Sequence, residues 1–390
     1  MNLLDTRFNQ KIIFYAVAGL VASLLISLVL LQIFTLIFFL WLFEKNKLKA
    51  NDSLLYIILA FGVFRLVTIF FSEYFDLSLV AIQKELLFYL TTIALFYYLK
   101  TFSAEKNRKI ISIFIHAGVL VALVGLFLFS IGKFDRAQSF GSGYATFSTY
   151  LLVVSIFILS IKPKDASWKQ LLFWALEVGL IYSGIILSMG RANIAITIIL
   201  GVFVILIRKI ELKKIGIAFI FTALITVITL QFNQGESAQR ISNPTTLSDR
   251  DILYEAFFDL ADAHPLLGFG PRTFEKVFPY RDRLADKEVG SWHNDYIQIY
   301  LESGIIALLI FLALIYQIMS KSKWVLFKPK KLGLLDEEVF AVLVAIIAIL
   351  LSGLTGTFFF SPVLSILFAY LISLFSYFWY IEPYFGISPN

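Results

Sequence analysis

Residues 339–381 read VFAVLVAIIAILLSGLTGTFFFSPVLSILFAYLISLFSYFWYI, 43 residues without a charge. As one helix rising 1.5 Å per residue the run would be roughly 65 Å long, about twice the apolar core of a bilayer. It has to fold back, and the breakers between Gly353 and Pro362 mark the place. A second uncharged run, Ile12–Phe43, has 32 residues. It reads as one long tilted helix or as two short ones around Ser27–Leu30.

Extended along the chain, this reading gives an all-α polytopic bundle of about twelve spans: 11–27, 28–43, 53–72, 80–99, 109–131, 144–161, 169–188, 191–207, 214–231, 294–319, 338–356 and 362–380. Composition agrees. Of 390 residues, 59% are apolar and 15% charged, against roughly 45–50% and about 25% in soluble domains. Mean hydropathy is +0.84. Together these exclude a soluble globule and a disordered chain. Cysteine is absent, which excludes a thiol nucleophile, Cys-ligated zinc and iron–sulfur clusters.

Charge placement tests the count. With the N-terminus inside and spans alternating, the inner segments hold Arg7 and Lys11; Lys45, Lys47 and Lys49; Lys100, Lys106, Arg108 and Lys109; Lys162, Lys164 and Lys169; Arg208, Lys209, Lys213 and Lys214; and Lys321, Lys323, Lys328, Lys330 and Lys331. These are 21 of the 33 basic residues, and short loops rich in Lys and Arg stay on the cytoplasmic side. The first apolar run is too long for a cleavable signal peptide. Both termini are therefore expected in the cytoplasm. The chain divides into spans one to nine (1–231), an outer loop (232–293) and spans ten to twelve (294–390).

The loop carries Arg240, Arg250, Arg272, Arg281 and Arg283. Ser248-Asp249-Arg250-Asp251 resembles a capping box. Ile252, Leu253, Ala256, Phe257 and Leu260 then form a helical stripe over Ile252–Ala263, ended by His264-Pro265. Leu267-Gly268-Phe269-Gly270-Pro271 reads as a turn.

Basic residues on the outer side are informative, because membrane insertion does not favour them there. Lys133 and Arg136 follow span five, and Arg191 sits in the tight turn Ser188-Met189-Gly190-Arg191. A guanidinium at this interface suits a lipid-linked phosphate or diphosphate through bidentate, charge-assisted bonds. A lone Arg could equally snorkel to the headgroups; several on one side favour a site. The second signal is Trp292-His293-Asn294-Asp295-Tyr296, where the loop returns to the membrane. A neutral imidazole there can take a proton from a hydroxyl, or simply be a hydrogen-bonded His beside an interfacial Trp. Glu302, nine residues on, could orient an Arg. His264 and His116 read as structural. Arg65 and Glu177 lie deep in spans three and seven and need partners, and a mutual contact is one solution. The chain has no HExxH zinc pattern and no Walker GxxxxGK[ST] motif. Gly268 and Gly270 follow no βαβ strand, and the basic clusters mark topology, so no nucleic-acid surface is expected.

Four ordered pieces resemble the O-antigen ligase/polymerase family of bacterial membrane glycosyltransferases: Ser188-Met189-Gly190-Arg191 opening a span, Ser248-Asp249-Arg250 before a loop helix, Pro265-Leu266-Leu267-Gly268-Phe269-Gly270 after it, and His293-Asn294-Asp295-Tyr296 leading to Glu302-Ser303-Gly304. The resemblance implies a multi-pass protein of the bacterial inner membrane with a periplasmic loop above a lipid-open cavity. It implies an inverting, metal-independent transfer without a cofactor. The donor is an undecaprenyl-diphosphate-linked glycan, and the acceptor is a lipid A core or another glycan. By matching position, His293 is the general base or the group that orients the acceptor, while Arg191 and Arg250 hold the diphosphate. Arg136, Arg272, Asn294 and Glu302 are assigned to substrate binding. A ligase is favoured, with an O-antigen or exopolysaccharide polymerase of the same family close behind. A secondary transporter of a small anion is the alternative from another class, although no repeated halves are seen. An envelope scaffold is a third.

Overall fold

The computed structural model describes residues 6–42, 52–161, 166–232, 249–285, 289–327 and 335–381. The described residues are helical and contain no strand. The helices are α1 (Thr6–Ser23), α2 (Leu28–Leu42), α3 (Ser53–Phe70), α4 (Phe75–Thr101), α5 (Ala104–Ser130), α6 (Tyr144–Ser160), α7 (Trp168–Leu187), α8 (Arg191–Arg208), α9 (Leu212–Phe232), α10 (Arg250–Leu260), α11 (Phe274–Val277), α12 (Asp295–Phe327), α13 (Leu335–Ser352) and α14 (Pro362–Ile381). Eight of them are long and apolar enough to cross a membrane, and Lys11–Ser23, Leu28–Phe38 and Tyr144–Ser160 are shorter apolar helices. The first uncharged run divides into α1 and α2, and the last divides between Ser352 and Pro362. Lys45, Lys47, Lys49, Lys162, Lys164, Arg240, Ser248, Lys328, Lys330 and Lys331 lie outside the described residues.

Helix starts are chemically marked where chain meets water. Asp52 accepts from Leu54 N at the head of α3, Ser103 from Lys106 N at α5, and Ser167 with Gln170 forms a full capping box at α7. Helices α6, α13 and α14 and the second half of α4 are buried against their neighbours and share one large apolar core. Helix α9 instead turns Phe219, Ile220 and Leu224 outward, as a lipid-facing helix does. At the end of the bundle away from the loop, ion pairs tie neighbouring helices: Lys100 to Asp52 at 2.6 Å, Arg108 to Glu338 at 2.9 Å, and Arg208 to Glu337.

The loop has its own small core of Leu253, Ala256, Phe274, Phe278, Leu284, Trp292 and Leu301. Its helix α10 runs over Arg250–Leu260, starting and ending earlier than the stripe suggested. Asp249 precedes it in the left-handed region and makes no capping bond to the helix; its carboxylate accepts instead from Ala285 N. The helix ends at Leu260, before His264-Pro265 is reached.

Candidate functional site

The last residue of α13, Ser352, and the turn that follows it are the meeting point of the candidate groups. Arg191 opens α8 and is exposed. Two residues further on, Asn193 donates to Ser148 Oγ (2.7 Å) and Thr149 Oγ1 (3.0 Å) and accepts from Ser352 Oγ (3.0 Å). Thr149 and Ser352 also bond to each other at 2.9 Å. This buried polar knot pins the start of α8 against the end of α13. Arg250, the first residue of α10, donates from Nη2 to Thr355 O at 2.7 Å. Arg272 lays its guanidinium over the ring of Phe360, 4.2 Å from the centroid. His293 is half-buried and directly precedes α12. The next residues bind the turn: Asp295 N donates to Gly353 O at 2.8 Å, and its carboxylate accepts from Phe358 N (2.8 Å) and Phe359 N (3.3 Å). The segments bearing Arg191, Arg250, Arg272 and His293 thus all seat on Ser352–Phe360.

Arg136 reaches the same end of the bundle by another route. Its neighbour Ala137 donates to Leu187 O at 2.9 Å, beside the α7–α8 turn, and its guanidinium stacks 4.1 Å from the Tyr144 centroid. Asn294 caps α12: its side-chain oxygen accepts from Tyr296 N at 3.0 Å and Ile297 N at 3.2 Å. Trp292 packs edge-on against Phe274 and Phe278 in the loop core. His293 is therefore held between a buried ring and a helix cap.

The backbone is unusual at these places. Among the described non-glycine residues, positive φ occurs at Met189, Lys209, Asp249, Arg272 and His293. Four of those five are, or adjoin within two residues, a candidate site residue. Such conformations cost roughly 1–3 kcal/mol each and persist only where surroundings enforce them.

Glu302 is withdrawn from solvent into an ionic network. Arg65 Nη2 donates to it at 3.0 Å, and Gln298 Nε2 reaches its other oxygen at 3.0 Å. The Arg272 backbone N–H faces the same carboxylate. Arg65 forms a fork on Glu85, 3.0 Å from Nε and 2.7 Å from Nη2, and donates from Nη1 to Ser303 Oγ at 3.3 Å. This corrects the expected Arg65–Glu177 contact. Helix α3 packs on α4 and α12, whereas α7 packs on α5, α6 and α9. Glu177 accordingly pairs with His116 Nδ1 at 2.9 Å. Arg272 Nε lies 3.9 Å from Glu85, beyond hydrogen-bond length. Burial disfavours the charge of the Arg272 guanidinium, and the nearby Glu85 and Glu302 carboxylates oppose that effect.

The Pro265–Gly270 and Glu302–Gly304 motifs are two sides of one backbone lock. Within α12, Gly304 leaves helical geometry at φ 74°, ψ −178°. That break frees carbonyls, and the loop supplies donors: Phe269 N to Leu301 O at 2.8 Å and Gly270 N to Glu302 O at 3.0 Å. Ile305 N in turn donates to Pro265 O at 2.8 Å. A Cβ at Gly304 would lie 2.0 Å from Leu266 O, and one at Gly268 (φ 69°) 2.4 Å from Glu302 C, so both positions need glycine.

Sequence reasoning missed Glu85 and the role of Ser352–Phe360 as a platform. The signal for the platform was the set Ser148, Thr149, Asn193 and Ser352, polar side chains inside apolar segments that had to find one another. Comparison with curated proteins finds no match. A family model described as O-antigen ligase matches residues 176–312. The matched stretch of this multi-pass membrane protein is similar to that family and contains Arg191, Arg250, Arg272, His293 and Glu302.

Proposed function

We propose that the protein transfers a glycan from an undecaprenyl-diphosphate carrier to an acceptor hydroxyl at the outer face of the bacterial inner membrane, as an O-antigen ligase with the lipid A core as acceptor. The acceptor oxygen attacks the anomeric carbon, the bond to the diphosphate breaks with inversion, and polyprenyl diphosphate leaves. His293 takes the hydroxyl proton or orients that hydroxyl. Arg191 and Arg250 hold the diphosphate and stabilise its growing charge. Arg136 and Arg272 extend the same positive field, and Asn294 fixes His293 by capping the helix behind it. The loop end of the bundle faces the periplasm, and both termini face the cytoplasm.

One observation carries this reading: the segments of Arg191, Arg250 and His293 seat on the last residue of α13 and the turn that follows it, at the end of the bundle that carries the loop. The test is reconstitution in lipid with a lipid-linked glycan and, separately, lipid A core or a second lipid-linked repeat. Glycan appearing on lipid A core supports the proposal. Extension of the lipid-linked repeat would make the protein a polymerase of the same family. No transfer to either acceptor by the folded protein overturns the proposal.

A further inference from the structure

We propose that Arg65 and Glu85 are positioning residues for the transfer reaction, acting through Glu302 and Ser303 on the half-helix that carries His293 at its head. The kinetic part of this inference rests on the function proposed above. Because Gly304 leaves helical geometry, Asp295–Ser303 is a separate segment joined to the rest of α12 through a non-helical residue. Nine residues at 1.5 Å each make it roughly 13 Å long. Its head is held by the Ser352–Phe360 turn. Its tail is held by the loop backbone on one side and by Arg65 on the other.

Arg65 is the anchor that comes from within the bundle. It lies in α3, is 6% exposed, and spends Nε, Nη1 and Nη2 on Glu85, Ser303 and Glu302. Thr68, one turn on, adds a 3.4 Å contact to Ser303 Oγ. A guanidinium is the only side chain whose planar fork can bridge three such groups; an ammonium is a point charge. Glu85 sets the orientation of that fork from α4. The network therefore fixes where the half-helix stands relative to α3 and α4, and with it the direction in which His293 is presented. A displacement near 1 Å costs on the order of 10²-fold in a reaction that depends on alignment.

The test uses the full chain in lipid nanodiscs and compares Arg65→Lys, Glu85→Gln and Glu85→Asp with wild type. Arg65→Lys and Glu85→Gln are expected to insert normally and to lose about 10- to 100-fold in kcat, with donor KM within about twofold. Glu85→Asp, which keeps the charge, is expected to recover part of the loss seen in Glu85→Gln. A readout independent of activity exploits the absence of native cysteine. Ser291→Cys is a near-isosteric change at a buried position two residues before His293. Its maleimide labelling should speed several-fold when Arg65→Lys is added. If Arg65→Lys fails to fold, Glu85→Gln decides the same question. Unchanged kcat and labelling in folded variants, or losses that merely track the folded fraction, overturn the inference. His293→Ala separates the two levels. If it is inactive while Arg65→Lys is normal, only the positioning role fails. If it is fully active, the proposed chemistry fails and the labelling result still judges the positioning role.

Discussion

Gly304→Ala should separate the outer loop from the membrane bundle without touching a charged group. The backbone at this residue (φ 74°, ψ −178°) lies in a region essentially reserved for glycine. The added methyl would sit 2.0 Å from Leu266 O and 2.2 Å from Leu266 C. Both are backbone atoms, so no side-chain rotation relieves the overlap, and the 265–270 segment has to leave. Three hydrogen bonds leave with it, at 2.8, 3.0 and 2.8 Å. At about 0.5–1.5 kcal/mol each they contribute roughly 1.5–4.5 kcal/mol, and the backbone conformation adds about 1–3 kcal/mol. The total, roughly 2.5–7.5 kcal/mol, multiplies the open population of the loop by roughly 10²–10⁵, a factor of ten per 1.4 kcal/mol.

Limited proteolysis of the purified protein in nanodiscs measures that opening directly, since the cleavage rate follows the open population when closing is fast. Cleavage within 250–285 should accelerate by at least 10²-fold, with the apolar helices still inserted. Gly216→Ala is the control. A Cβ there meets nothing within 4 Å and the residue lies in helix α9, so alanine should be neutral or stabilising by about 0.5–1 kcal/mol. If Gly304→Ala leaves the loop as protected as Gly216→Ala does, the lock is not what holds the loop to α12.

Three further outcomes follow from the same contacts. His293→Ala or Arg191→Ala should insert normally yet lose surface glycan, since losing one preorganised charge-stabilising group costs on the order of 10²–10³ in rate; near-wild-type glycan in both variants would refute their roles. Asn193→Ala leaves Ser148, Thr149 and Ser352 short of partners, so thermal unfolding should show a loss of about 1–3 kcal/mol, and an unshifted midpoint would mean the knot is not stabilising. The Glu255 carboxyl, forked by Arg283 at 2.8 and 2.7 Å, is held below its ordinary value by that bond. A lowered folded pKa gives stability that is present above the unfolded value of about 4.3 and lost as pH falls through the folded one. Loop protection should therefore hold from neutral pH to about 5 and decline below about 4, and Glu255→Gln should flatten that decline; an identical profile in the variant would dismiss the pair.

The helices were legible because each rests on a local property. Uncharged length demands a span or a fold-back, and Gly353–Pro362 could only be the place where the last run turns. The uncharged run around Ser27–Leu30 allows one helix or two by length alone; the chain breaks between Ser23 and Leu28. Arg65 shows the limit. Its depth said that it needed a carboxylate, but depth does not say which helix stands next to α3. Depth points to Glu177 and passes over Glu85, which lies near the start of its span; helix packing brings Glu85 to Arg65. The resemblance assigns Asn294 and Glu302 to substrate binding, and the residues themselves allow Glu302 to orient an Arg. In the fold one caps a helix and the other pairs with a buried Arg, contacts that sequence position alone does not reveal.

The strained backbone explains why the candidate site could be found by residue type and not by conformation. Glycine announces a positive φ in a sequence, as Gly268, Gly270 and Gly304 do. Met189, Asp249, Arg272 and His293 adopt it without any such sign. At each the local preference runs against the observed geometry, so the conformation has to be imposed by contacts. Those contacts are visible here: the Asn193 knot behind Met189, the Ala285 bond on Asp249, the Phe360 ring under Arg272, and the Trp292 and Asn294 neighbours of His293. Relaxing any one of them should let its residue return to an ordinary φ and withdraw the adjacent charged or titratable side chain. A structure of Phe360→Ala that still shows Arg272 at positive φ with its guanidinium in place would show that the stacking ring does not impose it.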